Sequence, residues 1–575
     1  VDPTRFETLQ SSRRTAAAAI GVTRPLGDFS VALNLNANRN SSEGERGLPM
    51  AWVVIPADHP RSPFADDVLL TRPFAGERAL RTDDDSTSLG ASLTLNGSIG
   101  SWQISLAASY ARNWADNFFE NGIDVARVQR LIDDLDPDFN PYGVWDEGLL
   151  IAARNRTKSE NMSARLNVRK AIVDLPAGPL TWNLTANTGR NSTQSRQRDA
   201  SGNLVASNDV TRSQSSGQMS VSIPISRNDG AGAGWLGDLT VDLSASAQKM
   251  TGSRPQKGFD GNISWSPRPV IQLRGAIEYT ENAPSFDQLD APIVTAVARI
   301  FDYTRQEVAE PVGITGGNPD LKRGRRQSLT LTAMARPLGD EKLTLNLGYR
   351  QSVAKGGLAA FPELTPAIEA AFPERVTRDA DGRLVMVDAR PINIARNTDA
   401  SLSSGVALRL GQARRQARGA APTDPLQLSV ALSHQWRLKS ELLIRPGIPA
   451  IDQLADSGQS RHTLSLQITA GTREIGASVN GNWASASTVT SADRLFRFKP
   501  PLTFNLSMFV EPGRLIKQSS PGALTKDLKI SFDVQNLFNG YRRVTLADGS
   551  VPAGYSRDEI DPLGRTVRVS VRKRF

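Results

Sequence analysis

The side chains most able to do chemistry here suggest binding, not turnover. Trp114, Phe118, Phe119, Tyr142 and Trp145 fall in one segment, 113–160. Aromatic faces stack on flat solutes such as metal chelates, sugars and corrins. The alternative is that the rings pack a loop against itself. Phe301 and Tyr303 offer the same two readings in segment 282–325. Arg165, Arg169, Arg274, Arg568 and Arg572 sit on the polar side of alternating stretches. Their forked guanidinium groups suit an anionic solute. The other reading is cross-strand pairing with acids such as Asp242, Glu278 and Asp533.

Asp134, Asp136 and Asp138 put carboxylates at every second position, as calcium loops do. Pro137 stiffens that stretch and no glutamate follows at the required offset, so a solvated turn is the competing reading. Gly232-Ala-Gly-Trp-Leu-Gly237 matches a dinucleotide fingerprint in spelling only. It precedes a strand instead of joining a strand to a helix. No H-E-x-x-H or G-x-S-x-G occurs. With no cysteine, disulfides, thiolate metal sites and cysteine nucleophiles are excluded. Neither an enzyme nor a cofactor protein is indicated.

The elements that must carry these residues are strands. Thr566–Phe575 alternates without a break, with Val567, Val569, Val571 and Phe575 on one side and Arg568, Ser570, Arg572 and Arg574 on the other. A period of two is a strand with two unlike faces. An aromatic last residue on the apolar face suits the interfacial girdle of a transmembrane sheet. The same alternation predicts about 19 strands, near 13–24, 28–39, 88–97, 101–112, 161–172, 179–190, 217–227, 237–249, 257–266, 270–281, 326–336, 341–352, 398–411, 425–438, 461–472, 474–486, 502–511, 526–536 and 565–575.

Their polar sides are mostly Ser, Thr, Asn and Gln, too polar for a packed core and too uncharged for a plain solvent face. A wet lumen accounts for that, and for a hydrophobic content of only 39%. Short turns such as 24–28, 97–100 and 336–340 alternate with long segments such as 40–86, 113–160, 282–325 and 353–397. That rhythm is an up-and-down barrel with short periplasmic turns and long extracellular loops. A helix is expected near 123–134, and another with Thr365 as N-cap and Pro366 at its first position. No apolar run suits a membrane-spanning helix.

Three stretches resemble the barrel of TonB-dependent outer-membrane receptors: Thr315-Gly-Gly-Asn-Pro-Asp-Leu321, Val534-Gln-Asn-Leu-Phe-Asn539, and Pro562-Leu-Gly-Arg565 leading into the last strand. Tyr279-Thr-Glu-Asn-Ala-Pro-Ser285 is similar to the family's strand-end segment, with Asn282 where arginine is usual. The resemblance covers 255–575 by motif and 13–254 by architecture. It implies a 22-stranded barrel, with 1–12 the remnant of an extracellular loop, 13–575 one barrel domain, and a plug and the first strands upstream. An odd strand count likewise asks for one or three strands before residue 1.

It also implies uptake of a scarce solute, such as a siderophore, cobalamin or an oligosaccharide, driven through TonB. The implied partners are the plug, the TonB complex, the barrel assembly machinery, outer-membrane lipid and lipopolysaccharide. Phe575 would be the insertion signal. A plugless porin, or a soluble all-β carbohydrate-binding domain, are the competing readings. A net charge of +9 raises nucleic acid, but the basic residues are scattered apart from Arg414, Arg415 and Arg418, which argues against it.

Overall fold

A computed structural model describes residues 3–573 except 9, 74–78, 200–201, 229–235, 286–287, 290, 292, 298–299, 303, 306, 310, 339–341, 412–425, 457, 473, 492–493, 516–526, 553 and 562. The Gly232–Gly234 turn, the Arg414–Arg418 cluster, Tyr303 and Phe575 thus lie outside the described residues. The chain divides into two compact units. One comprises 1–170, 183–217 and 248–251; the other comprises 171–182, 218–247 and 252–575.

Every strand expected from alternation is present. In chain order they are β1 Ser12–Leu26, β2 Phe29–Glu45, β3 Arg81–Ile99, β4 Trp102–Ile123, β5 Leu150–Leu175, β6 Gly178–Asp199 and β7 Leu204–Ser226. Next come β8 Asp238–Met250, β9 Gln256–Arg268, β10 Ile271–Asn282, β11 Gly324–Ala335, β12 Leu343–Ala359 and β13 Ile392–Leu410. The series ends with β14 Gln427–Leu443, β15 His462–Gly471, β16 Ile475–Ala484, β17 Thr503–Val510, β18 Leu528–Gln535 and β19 Thr566–Lys573. No helix among the described residues is long and apolar enough to cross a membrane.

Several strands outrun the alternation that revealed them. β3 to β7 extend well into segments expected to be loops. The reason is physical: alternation marks only the stretch where one face meets an apolar medium. Beyond it the ladder of backbone hydrogen bonds continues with no need for two unlike faces.

In the first unit β1, β2, β3, β4 and β5 pair as consecutive antiparallel neighbours. Tight turns set the register. Leu26 faces Phe29 and Ile99 faces Trp102, leaving Gly27 and Gly100 at φ 58° in two-residue links. Glycine enters that region without the Cβ clash other residues meet. In the second unit β9 to β19 also pair consecutively and antiparallel. One face of these ladders leaves Leu33, Leu93, Ile277, Leu331, Leu347, Val406, Val569 and Val571 exposed. In each unit an apolar face so exposed needs a partner medium, and lipid is the one a two-faced sheet fits.

Well-packed apolar cores lie in the connections instead. One joins Ala51, Val53, Ile55, Val128, Ile132, Trp145 and Leu149 in the first unit. Another joins Leu364, Ile368, Phe372, Leu384, Val387, Ile392 and Ile444 in the second. The three quoted motifs also acquire a physical reason. Asn318 is buried and its amide donates to the Pro391 carbonyl, pinning the 315–321 turn to β13's approach. Asn536 and Asn539 both take positive φ, 51° and 53°, a region asparagine tolerates better than most residues. Asn539 Oδ1 accepts from the Arg565 backbone N–H, joining the second motif to the third. Gly564, at φ 55°, has no room for a side chain: a Cβ there would sit 2.4 Å from Asn539 Oδ1.

Candidate functional site

The first unit's cap is built from two connections distant in sequence. Met50–Ile55 and Val68–Pro73 form a hairpin. Helix α1, Val125–Asp133, packs beneath it with Asp124 as N-cap, close to the expected 123–134. Gln129 ties the two together: its Oε1 accepts from Val54 N at 2.9 Å and its Nε2 donates to Val54 O at 2.8 Å. A side-chain amide thus replaces a missing strand neighbour, satisfying both polar groups of one residue. Arg61 donates to the Phe139 and Pro137 carbonyls, and Arg72 to that of Pro141.

The five aromatic residues expected together separate into different roles. Trp145 is 3% exposed, lies under Arg72 at 4.9 Å, and donates its indole N–H to Pro141 O. It is core, so the self-packing reading holds for it. Tyr142 is exposed. Trp114, Phe118 and Phe119 belong to no loop; they ride the extension of β4. Trp114 and Phe118 continue its apolar face, and Phe119 points to the other. Phe301 lies in a short strand, Ile300–Asp302, paired with Glu307–Ala309.

Asp134, Asp136 and Asp138 are not gathered: among the described residues no carboxylate or histidine group is arranged to hold a metal. Asp136 Oδ1 instead accepts from the Asp138 N–H at 2.9 Å, closing a local turn.

The hairpin shows what sequence reasoning missed. Its inner residues Ala51, Val53 and Ile55 are buried, while Met50, Trp52 and Val54 are exposed, Trp52 at 56%. Leu69, opposite Val54, extends that apolar face. The signal in the sequence was Ala51-Trp-Val-Val-Ile55, an apolar run without alternation inside a supposed polar loop.

Arg165, Arg169, Arg274, Arg568 and Arg572 have no side-chain partner among the described residues. The acids expected to neutralise them are engaged elsewhere. Asp242 accepts from Asn262 at 2.9 Å, Glu278 from Ser328 at 3.0 Å, and Asp533 from Ser507. Arg568 stands directly across from Asp533 in register and still makes no ion pair. A hydroxyl carries no charge to desolvate and reaches the carboxylate with less side-chain ordering.

The second unit's cap is held by one guanidinium. Helix α2, Pro366–Ala371, starts as expected at Thr365, and Gly382 turns the chain between Val376–Arg378 and Leu384–Asp388. Arg378 reaches Asp302 at 2.7 and 2.9 Å and Glu369 at 2.6 and 2.9 Å. Its hydrogen bonds hold both carboxyls below their ordinary range, and the carboxylates of Glu369 and Asp302 raise the guanidinium in return. His434 and His462, distant in sequence, stack at 5.3 Å on the apolar side of β14 and β15, with Trp436 against His462 at 5.5 Å. A diagonal across one strand pair brings them together, which no single-strand pattern announces.

Known proteins share this fold. No curated protein matches the chain. Among solved structures, the siderophore receptor PirA from Acinetobacter baumannii is similar at 11% identity and TM-score 0.53, over 98% of this chain and 80% of that one. The RagAB peptide importer in its open-open state is similar at 9% identity and TM-score 0.55, over 98% and 71%. The ferripyoverdine receptor of Pseudomonas aeruginosa is similar at 11% and 0.53, over 92% and 62%. At such identities these likenesses concern the fold. Residues 24–537 match the family described as TonB dependent receptor-like, beta-barrel. An antiparallel two-faced sheet with capped long connections, matched along most of its length, places this chain in the TonB-dependent receptor β-barrel family.

Proposed function

We propose that this chain is the barrel of an outer-membrane receptor importing a scarce, anionic solute with a flat or apolar part, a siderophore being the best fit, driven by an N-terminal plug and the TonB complex. The family is one of outer-membrane barrels. One of the similar structures is titled a siderophore receptor, one a ferripyoverdine receptor of the outer membrane bound to ferripyoverdine, and one a peptide importer. The observation that carries the reading lies within the first unit, where Arg165 and Arg169 stand on the polar face without a side-chain partner among the described residues and the cap presents an exposed aromatic hairpin. Trp52, with Met50, Val54 and Leu69, supplies the first contact. Arg165 and Arg169 in the first unit, and Arg274, Arg568 and Arg572 in the second, each give the polar face of their own sheet a positive charge that attracts an anion. Cations without acids to cancel them raise the local positive potential.

The test is uptake of a labelled ferric siderophore panel by cells carrying the complete receptor. Trp52→Ala is expected to weaken capture about tenfold, the loss of a stacking contact of about 1.4 kcal/mol. Dissipating the proton-motive force is expected to abolish uptake. Uptake that continues at full rate without that force contradicts the energised mechanism and favours the plugless porin.

A further inference from the structure

On the polar face of the second unit a ring interrupts a row of small polar residues. That face of β17 reads Thr503, Asn505 and Ser507 and then Phe509. Phe509 stands in register with Gly476 on β16, and Gly476 with Gly471 on β15. The glycine pair is the last rung before a turn in which Thr472 donates its backbone N–H to Ile475 O at 2.8 Å. A Cβ on Gly476 would strike the Phe509 ring, and one on Gly471 would strike the Gly476 backbone. The ring therefore covers backbone that carries no side chain, and close approach is what requires glycine there.

The missing side chains leave a hollow of about 480 Å³ across β13 to β17. Gln427, Ser429, Thr469, Ser478, Ser507 and Phe509 line it, with Arg409 at its far side. Beside the Phe509 wall stands a pair of cations. Lys529 Nζ lies over the Phe509 ring at 4.0 Å, and Lys529 faces Arg572 directly in the β18–β19 ladder. Neither cation has an acid partner among the described residues. Like charges directly opposite each other destabilise a strand pair, so this pair is held at a cost that an anion would offset. Carboxylates along this edge are engaged elsewhere: Glu474 accepts from Thr472 Oγ1 at 2.6 Å, and Asp533 accepts from Ser507.

We propose that this hollow binds a small aromatic carboxylate. The ring packs against Phe509 over the Gly471–Gly476 floor, and the carboxylate turns toward Lys529 and Arg572. Each part of the site rejects a simpler occupant. A free inorganic anion leaves the apolar wall unmatched, and an uncharged ring leaves the two cations facing each other. Aromatic pairs gain beyond the area they bury, and a carboxylate between two cations replaces their repulsion with charge-assisted contacts. Ser429, Thr469 and Ser478 offer hydroxyls to substituents on the ring. An imported solute with such a group reaches this hollow, at the turn end of the strands, after the caps. That use rests on the import reading; the binding itself does not.

Saturation-transfer NMR on the complete receptor in detergent tests this with three probes: benzoate, benzyl alcohol, which keeps the ring without the charge, and acetate, which keeps the charge without the ring. Benzoate is expected to bind, and each of the other two about tenfold more weakly. Lys529→Gln combined with Arg572→Gln is expected to weaken benzoate about tenfold and to leave benzyl alcohol unchanged, while Lys529→Arg keeps benzoate binding. Ser478→Trp, which fills the hollow with both cations in place, is expected to abolish the benzoate signal. Heat-modifiable gel migration reports that the variants fold. Equal benzoate binding by wild type and both loss variants overturns the proposal. So does equal binding of all three probes, which marks partition into detergent, and so does a complete receptor that binds no benzoate. Benzoate binding without uptake of the ferric siderophore panel removes the import reading and leaves this site standing; uptake without benzoate binding does the reverse.

Discussion

Arg378→Met is expected to open the second unit's cap while leaving the strands paired. Asp302 is 2% exposed and depends on this one guanidinium for two of its hydrogen bonds. Removing the cation strands a buried carboxylate, which costs about 3–5 kcal/mol. Glu369, on α2, loses two further bonds. Amide exchange over 365–388 is expected to accelerate by a factor of about a hundred or more, while β11 and β12 keep their protection.

Acid gives the same result by another route. Both carboxyls titrate below their unfolded values because Arg378 binds the charged forms. Their contribution is complete above the unfolded range near pH 4 to 4.5 and is lost as pH falls through the lower folded values. The cap is therefore expected to hold from pH 7 to about pH 5 and to open in stronger acid. In the variant the sign reverses, because protonating Asp302 relieves an unmatched buried charge. Unchanged exchange in Arg378→Met would show that the apolar cluster around Ile368, Phe372 and Leu384 holds the cap without it.

Leu347→Arg is expected to destabilise the inserted protein by about 2–4 kcal/mol, the cost of arginine on the lipid face at mid-depth. Leu347 is 50% exposed, pairs with Ala333 and Ser404, and lies midway along the apolar side of β12. Asn346→Arg, one residue earlier, presents the same charge to the lumen and is expected to change stability by less than about 0.5 kcal/mol. Urea unfolding in lipid vesicles measures both. Similar losses at the two positions would mean that the faces of β12 have been assigned wrongly.

The strands were legible because alternation is local: each residue's partner face is fixed two positions away. Leu343, Leu345, Leu347 and Tyr349 announce β12 with no knowledge of β11 or β13. Helix α2 was legible for the same reason, since Thr365 and Pro366 cap their own first turn. What stayed hidden depends on residues distant in sequence. Trp145 looked like a stacking platform because its partner Arg72 belongs to a different connection. Gln129 reaches Val54 across 75 positions, and Arg378 reaches Asp302 across 76. The strand extensions, and with them the true positions of Trp114 and Phe118, lose the apolar alternation because charged residues such as Arg112, Asp116, Arg154 and Arg156 share that side. Charge alone pairs the polar-face acids with the arginines, but uncharged donors, Asn262, Ser328 and Ser507, take those acids instead.

The most direct test of the account is a spin-label accessibility scan along β4 from residue 103 to 118 in lipid vesicles. Labels at 104, 106, 108 and 110 are expected to be reached by oxygen dissolved in the bilayer, and labels at 103, 105, 107 and 109 by a water-soluble nickel reagent. From 112 onward, where Arg112 and its neighbour Glu160 bring charge onto the apolar side, both sets are expected to become water-accessible. A period of two that stops at Arg112 is what a lipid-embedded receptor barrel requires. Water access at every position, with no alternation, would contradict it.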